Sequence, residues 1–285
     1  MKSVIHFACI CVVGLVITGC CATKLQGFRK VDIGGCRLNM LVVGHGSPVV
    51  VLDSGLGDTT TSWEMVQPQV AEFTTVIAFD RAGLGLSDAA PSAPRTSAQM
   101  ARELHTALHA AGIKPPYVLV GHSAGGFNAR LFAYQFPKEV EGMVLVDPSS
   151  EDWDDIMRTQ FPAKYQEVLD WRAQPHPEGL KRQMEGNEAS KGQVRAAWPL
   201  PDVPVVVLVG MKGKPDGSET KYFDEWYKVH EEWLRKIPHG TLVVARKSGH
   251  YIQFDEPKLV VNAISNMVTT VRGHTLKQVV ANGGD

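Results

Sequence analysis

Ser123 sits in VLVGHSAGG (118–126), flanked by Gly121 and Gly125 at the spacing Gly-x-Ser-x-Gly. The short apolar run 117–120 predicts a buried strand, and 126–136 predicts a helix. A strand, a sharp turn and a helix in that order present the serine at the apex, because small neighbours let the backbone turn tightly. The helix that follows aims the positive end of its dipole at the same place. A serine hydroxyl attacks only when a base takes its proton, so a histidine and a group to orient it are needed as well. Among ten histidines, His250 in KSGHYIQFDEP (247–257) stands apart, because it follows the apolar run 241–245 and falls in a loop before the last amphipathic segment. With an ordinary pKa near about 6.5, such an imidazole is available as a base at neutral pH.

These residues need a scaffold, and the remaining pattern supplies one. Alternation in RLNMLVV (37–43) and the run VVVLD (49–53) predict two strands, with 44–48 as a hairpin-like connection. The runs 75–79, 117–120, 142–146, 205–209 and 241–245 are short and uninterrupted, as in parallel strands buried on both faces. Thr61 with Glu64, and Thr96 with Gln99, have capping-box spacing and open helices between strands. Leu259, Val260, Ala263, Ile264, Met267 and Val271 recur at helical spacing and predict a last packing helix. This alternation gives an α/β fold: an open, mostly parallel central sheet with helices on both faces. Residues 149–200 interrupt it with scattered aromatics such as Trp153 and Trp171 among many charges. They predict a helical cap over the catalytic edge, placed to supply an apolar substrate wall, with the cap's own small core as the expected role of each single aromatic. The tail 275–285 is expected to fray.

Size and charge exclude some functions. A chain of 285 residues is ample for one large domain, and a net charge of -1 from 29 basic and 30 acidic residues gives no reason to expect a nucleic-acid partner. The N-terminus, with Lys2, an apolar stretch over 4–16 and ITGCC (17–21), predicts a signal peptide over 1–19. Ile17 to Cys20 resembles the bacterial lipobox, which implies lipid attachment at Cys20 and a place on a membrane surface in the cell envelope, facing away from the cytoplasm. The alternatives are secretion or a periplasmic location after cleavage behind Ala22, or an uncleaved anchor, for which the apolar stretch is short of the about 20 residues a span needs. The remaining cysteines, Cys21 and Cys36, are too few for a disulfide scaffold or a metal cluster. His105 and His109 lie one helical turn apart, but no third ligand accompanies them in the sequence, so no metal site is expected. Structural roles are expected for His122 beside the nucleophile, for Asp80 and Arg81 as braces of the loop they open, and for Arg130 on the helix after Ser123.

The segments VVLDSGLGDTTTSW (50–63), FDRAGLGLSD (79–88), VLVGHSAGG, MVLVDPS (143–149) and SGHYIQFDEP (248–257) occur in this order. In them the chain resembles the α/β-hydrolase superfamily, specifically its capped serine hydrolases, over 20–285. The resemblance implies Ser123 as nucleophile and His250 as general base. Many relatives carry the acid in a Gly-x-x-Asp turn after the strand matching 205–209, but here that turn reads Gly210, Met211, Lys212, Gly213. Two carboxylates replace it: Asp147, at the end of the strand 142–146 and favoured as a rigid mount, and Asp216, further along the altered turn. The oxyanion would be held by the backbone amides of Ala124 and, by resemblance, Leu56, with Ser54 where relatives often have histidine. The implied reaction cleaves a small-molecule carboxylic ester through an acyl-enzyme, without a cofactor. Amide, lactone or peptide hydrolysis and acyl transfer would use the same residues, and a non-catalytic ligand-binding member is the alternative of another class. Haloalkane dehalogenase and epoxide hydrolase chemistry is disfavoured, because those relatives place a carboxylate where Ser123 stands.

Overall fold

In the computed structural model, residues 27–90, 93–213 and 220–282 are described, with side chains described as far as His274. The expected signal peptide, Cys20 and Asp216 lie outside the described residues. One sheet of eight strands carries the fold, in the order β1-β2-β4-β3-β5-β6-β7-β8. The strands are β1 Gly27–Asp32, β2 Arg37–Val43, β3 Val49–Asp53, β4 Val76–Phe79, β5 Tyr117–His122, β6 Val140–Val146, β7 Val205–Gly210 and β8 Gly240–Ala245. Only β2 runs against its neighbours, pairing antiparallel with β1 and β4, while all other pairings are parallel.

This topology corrects the hairpin expected between 37–43 and 49–53. The strands form where expected, but β4 lies between them, and β3 is paired in parallel on both sides. The physical reason is burial: all five residues of β3 are buried, so it needs a neighbour at each edge. Strand β8, in contrast, is the outer strand and leaves most of its residues partly or fully exposed. Strand β1 was not expected, because GFRKVD has no apolar run and Phe28 is exposed.

Alternate residues of each central strand enter two different cores. Val49 and Val51 of β3 pack with Leu119, Leu104 and Phe132, on the face covered by α2 (Ser97–Ala110) and α3 (Gly125–Gln135). Val50 and Leu52 pack with Val118, Val260 and Ile264, on the face covered by α10 (Pro257–Asn282). Each fully buried aliphatic side chain contributes about 1.5–3 kcal/mol, so the sheet is fixed from both sides. Thr96 caps α2 by accepting from the Gln99 amide at 3.4 Å, but the Gln99 side chain turns to Glu103 instead of completing the box. No box forms at Thr61 either: Thr60–Trp63 is a single 3₁₀ turn, and α1 (Gln67–Val70) starts later without a side-chain cap. Trp63 is fully buried in the second core, and its packing overrides the local capping signal. The C-terminal helix α10 continues to Asn282, beyond the point where fraying was expected.

Between β6 and β7 lie four helices, α4 (Trp153–Gln160), α5 (Pro162–Arg172), α6 (Glu178–Glu185) and α7 (Asn187–Ala196). Their aromatics do not form a separate core. Trp153 packs edge-on against Trp226 and Tyr222 of α8 (Thr220–Leu234), with ring centroids 4.6 and 5.2 Å apart, while Trp171 is exposed. Ion pairs hold much of the cap: Asp154 of α4 accepts from Lys191 of α7 at 2.6 Å and from Arg172 of α5 at 3.1 Å.

Candidate active site

The sharp turn after β5 is built as its small residues allow. Ser123 has φ 51°, in the left-handed region that a side-chain-bearing residue enters at a cost of about 1–3 kcal/mol. Gly121 and Gly125 make the turn possible, since a Cβ on Gly121 would lie 2.5 Å from the Gly125 carbonyl oxygen, and one on Gly125 would strike the Asp53 carbonyl. The Ser123 Oγ stands 2.9 Å from Nε2 of His250, whose Nδ1 lies 2.6 Å from Oδ2 of Asp147. A carboxylate only accepts here, so Nδ1 carries the proton and leaves Nε2 free to accept from the serine.

Asp147 follows β6 and is buried, also with a positive φ, of 41°. Its second oxygen, Oδ1, accepts from the Gly210 amide and from the Trp226 indole N–H, both at 2.8 Å. The turn after β7, where a carboxylate is missing, thus supplies an amide to the carboxylate on β6. Gly210 is required there for a second reason: a Cβ would collide with the Gly249 carbonyl, in the loop that carries His250. The structure brings Ser123, His250 and Asp147 together, and it says nothing of Asp216.

Leu56 and Ala124 line the same cavity as Ser123, and among the described residues neither amide donates a hydrogen bond within the protein. Their orientation follows from peptide planarity, since the C=O and N–H of one trans peptide point in opposite directions. The Ser123 carbonyl accepts from the Gly126 amide at 2.9 Å and the Ser149 amide at 3.0 Å, so the Ala124 N–H faces the other way. The Gly55 carbonyl is taken by Nη2 of Arg81, so the Leu56 N–H turns away from Arg81. Ser54 closes the same loop, donating from Oγ to the Thr59 carbonyl at 2.8 Å.

Arg81 reaches further than its place in the sequence announces. It was expected to brace its own loop, as Asp80 does by accepting from the Thr60 and Leu86 amides at 2.8 and 2.9 Å. Instead, Arg81 Nη1 pairs with Asp53 at 2.5 Å and donates to the Ser54 carbonyl at 2.6 Å, reaching the loop after β3. Burial pushes the Asp53 carboxyl up, against the charge of Arg81 and the Asn128 amide donor, which draw it down. No sequence spacing signals this contact, because Arg81 and Asp53 meet only where β3 and β4 pair.

His122 is fully buried under His250 and donates from Nε2 to the His250 carbonyl at 2.9 Å. Burial, with the neighbouring His250, pushes its pKa down to about 3, so it is a neutral strut. Arg130 forms a two-pronged bond to Glu151 at 2.7 and 2.9 Å, tying α3 to the start of the cap. The cavity around Ser123, of about 130 Å³, has Phe127, Trp153 and Trp226 in its walls, with the Asp154–Lys191–Arg172 cluster on the cap side.

The fold also brings Glu139 beside His105 and His109, with its carboxylate 3.1 Å from His105 Nε2 and 3.2 Å from His109 Nε2. Glu139 lies thirty residues further along the chain than His109, immediately before β6, so no local spacing announces it.

The sheet and its covering helices have the architecture of the α/β-hydrolase fold. Residues 48–180 match the family model described as the alpha/beta hydrolase fold. It is 29% identical over 224 residues to YqjL of Bacillus subtilis, covering 78% of this chain and 83% of that protein. Among solved structures, a thermophilic esterase from Thermogutta terrifontis is similar at TM-score 0.58 and 24% identity, over 86% of this chain and 99% of that one. The enol-lactonase from Burkholderia xenovorans LB400 is similar at TM-score 0.65 and 18% identity, over 85% and 100%. Among the described residues no helix is long and apolar enough to cross a membrane.

Proposed function

We propose that the protein is a serine hydrolase that cleaves carboxylic esters, lactones included as cyclic esters, through an acyl-enzyme. The observation that carries this reading is the continuous relay from Asp147 through His250 to Ser123, at 2.6 and 2.9 Å. His250 Nε2 takes the Ser123 proton as Oγ attacks the ester carbonyl, and the Asp147 carboxylate stabilises the imidazolium that forms. The amides of Leu56 and Ala124 receive the oxyanion, a contribution of about 2.7–4 kcal/mol per donor in comparable sites. His250 then gives its proton to the leaving alkoxide. Water, deprotonated by the same imidazole, releases the acid and restores Ser123. The sequence Ile17 to Cys20 supports placing this activity at the cell envelope on a lipid anchor, and metabolic labelling with palmitate would be lost in Cys20→Ser.

A fluorophosphonate probe and a panel of p-nitrophenyl esters test the reading. Wild type is expected to label and turn over, Ser123→Ala to do neither, and Asp147→Asn to lose turnover by up to about 10⁴-fold. Equal labelling of wild type and Ser123→Ala would overturn it, and full turnover in Asp147→Asn would move the acid to another carboxylate.

A further inference from the structure

The cluster of His105, His109 and Glu139 lies at the other end of the sheet from Ser123. Glu139 precedes the first residue of β6 and Asp147 follows its last, so the two sites are separated by on the order of 25 Å at about 3.3 Å per residue. His105 and His109 occupy one face of α2, four residues apart, with ring centroids 4.2 Å from each other. Both Nε2 atoms converge on one carboxylate, His109 reaching both of its oxygens at 3.2 Å and His105 one of them at 3.1 Å. The three donor atoms lie within 4.8 Å of one another. The His105 ring is also held in place, stacked on Phe136 at 3.7 Å and 5°.

From this convergence we infer that His105, His109 and Glu139 bind a divalent transition-metal cation, with zinc as the fitting occupant. Donors about 2.0–2.1 Å from a tetrahedral zinc are separated by about 3.3 Å, close to the observed nitrogen–oxygen separations. Two imidazoles and one carboxylate suit zinc and its first-row neighbours, whereas calcium and magnesium prefer oxygen alone. The fourth position faces solvent, since the His109 side chain is half exposed, and a bound cation would take its fourth ligand from water there. Such a cation clamps the C-terminal half of α2 to the chain entering β6. Its distance from Ser123 makes the clamp a structural site, separate from the hydrolytic one.

The test is calorimetric titration of the protein with Zn²⁺ alone, paired with thermal unfolding with and without Zn²⁺, on wild type, His109→Ala and Glu139→Gln. Wild type is expected to bind one equivalent, and each variant to bind at least about tenfold more weakly. Zinc should raise the melting temperature of wild type only, and Co²⁺ should give the visible absorption of a tetrahedral site in wild type and not in His109→Ala. Unfolding without metal checks that the variants fold, and ester turnover should be the same in all three proteins. Equal zinc affinity in wild type and both variants, or no binding by wild type at millimolar Zn²⁺, would overturn the proposal and leave a plain His–Glu hydrogen-bonded cluster.

Discussion

In the proposed mechanism, Arg81 governs a donor it never touches. By holding the Ser54 and Gly55 carbonyls and the Asp53 carboxylate together, it fixes the peptide whose other end is the Leu56 N–H. A lysine offers a point charge in place of the planar fork and cannot keep all three contacts. Arg81→Lys is therefore expected to lower kcat about 10²–10³-fold, as loss of one oxyanion donor does, with KM little changed. A mutant that changed KM alone would place Arg81 outside the oxyanion machinery. His122 gives a pH prediction of definite sign. Its folded pKa of about 3 lies below the ordinary 6.5, so between these values the unfolded chain holds a proton that the folded chain refuses. Stability should fall as pH drops through that window, by up to about 1.4 kcal/mol per unit from this group. Urea unfolding at several pH values should show a shallower fall in His122→Gln, and parallel curves would contradict the assignment. Ser123 and His250 were legible in the sequence because a tight turn demands glycines and a strand-end loop is marked by its flanks. The contacts of Arg81 and Glu139 were not, because their partners lie on elements distant in the chain, the end of β3 and helix α2.

At the level of elements, a cluster of charges ties the cap helices to one another. Helix α5 buries no residue fully, and Asp154 joins α4, α5 and α7 through Arg172 and Lys191. Burial alone would raise the Asp154 carboxyl, but the Lys191 hydrogen bond and the two positive charges hold it below the usual range. Its contribution is therefore present above about pH 3.9 and is lost as pH falls through the lower folded value. Lys191→Met removes the most buried partner and should destabilise the cap by about 1–3 kcal/mol. Hydrogen exchange should quicken in α4 and α7 while the sheet keeps its protection, and unchanged exchange in the cap would contradict this. The sequence marked the cap by its composition, but not its attachment through Trp153 to α8, since ring contacts between separate helices leave no periodic trace. The misread hairpin has a similar cause: period and apolarity identify β2 and β3 as strands, but the neighbour of each is decided by a strand still to come.

Across the whole molecule, the sheet separates two kinds of site. The relay, the proposed oxyanion amides and the cap cavity gather at the C-terminal ends of the parallel strands, where loops meet on a rigid support. The inferred cation clamp lies at the opposite ends, beside the entry to β6. The fold class was readable early, because parallel strands write uninterrupted apolar runs, whereas β1 carries a mixed pattern and the run of β8 does not disclose that it lies at the sheet edge with most residues partly or fully exposed. The central claim is that Ser123 becomes acylated during turnover. Rapid acid quench of the protein with p-nitrophenyl acetate, followed by intact-mass and peptide-mass analysis, measures this directly. The account predicts one acetyl group per chain, on the peptide containing Ser123 and absent from Ser123→Ala. An acetyl group mapped to another residue, or turnover that persists in Ser123→Ala, would contradict it.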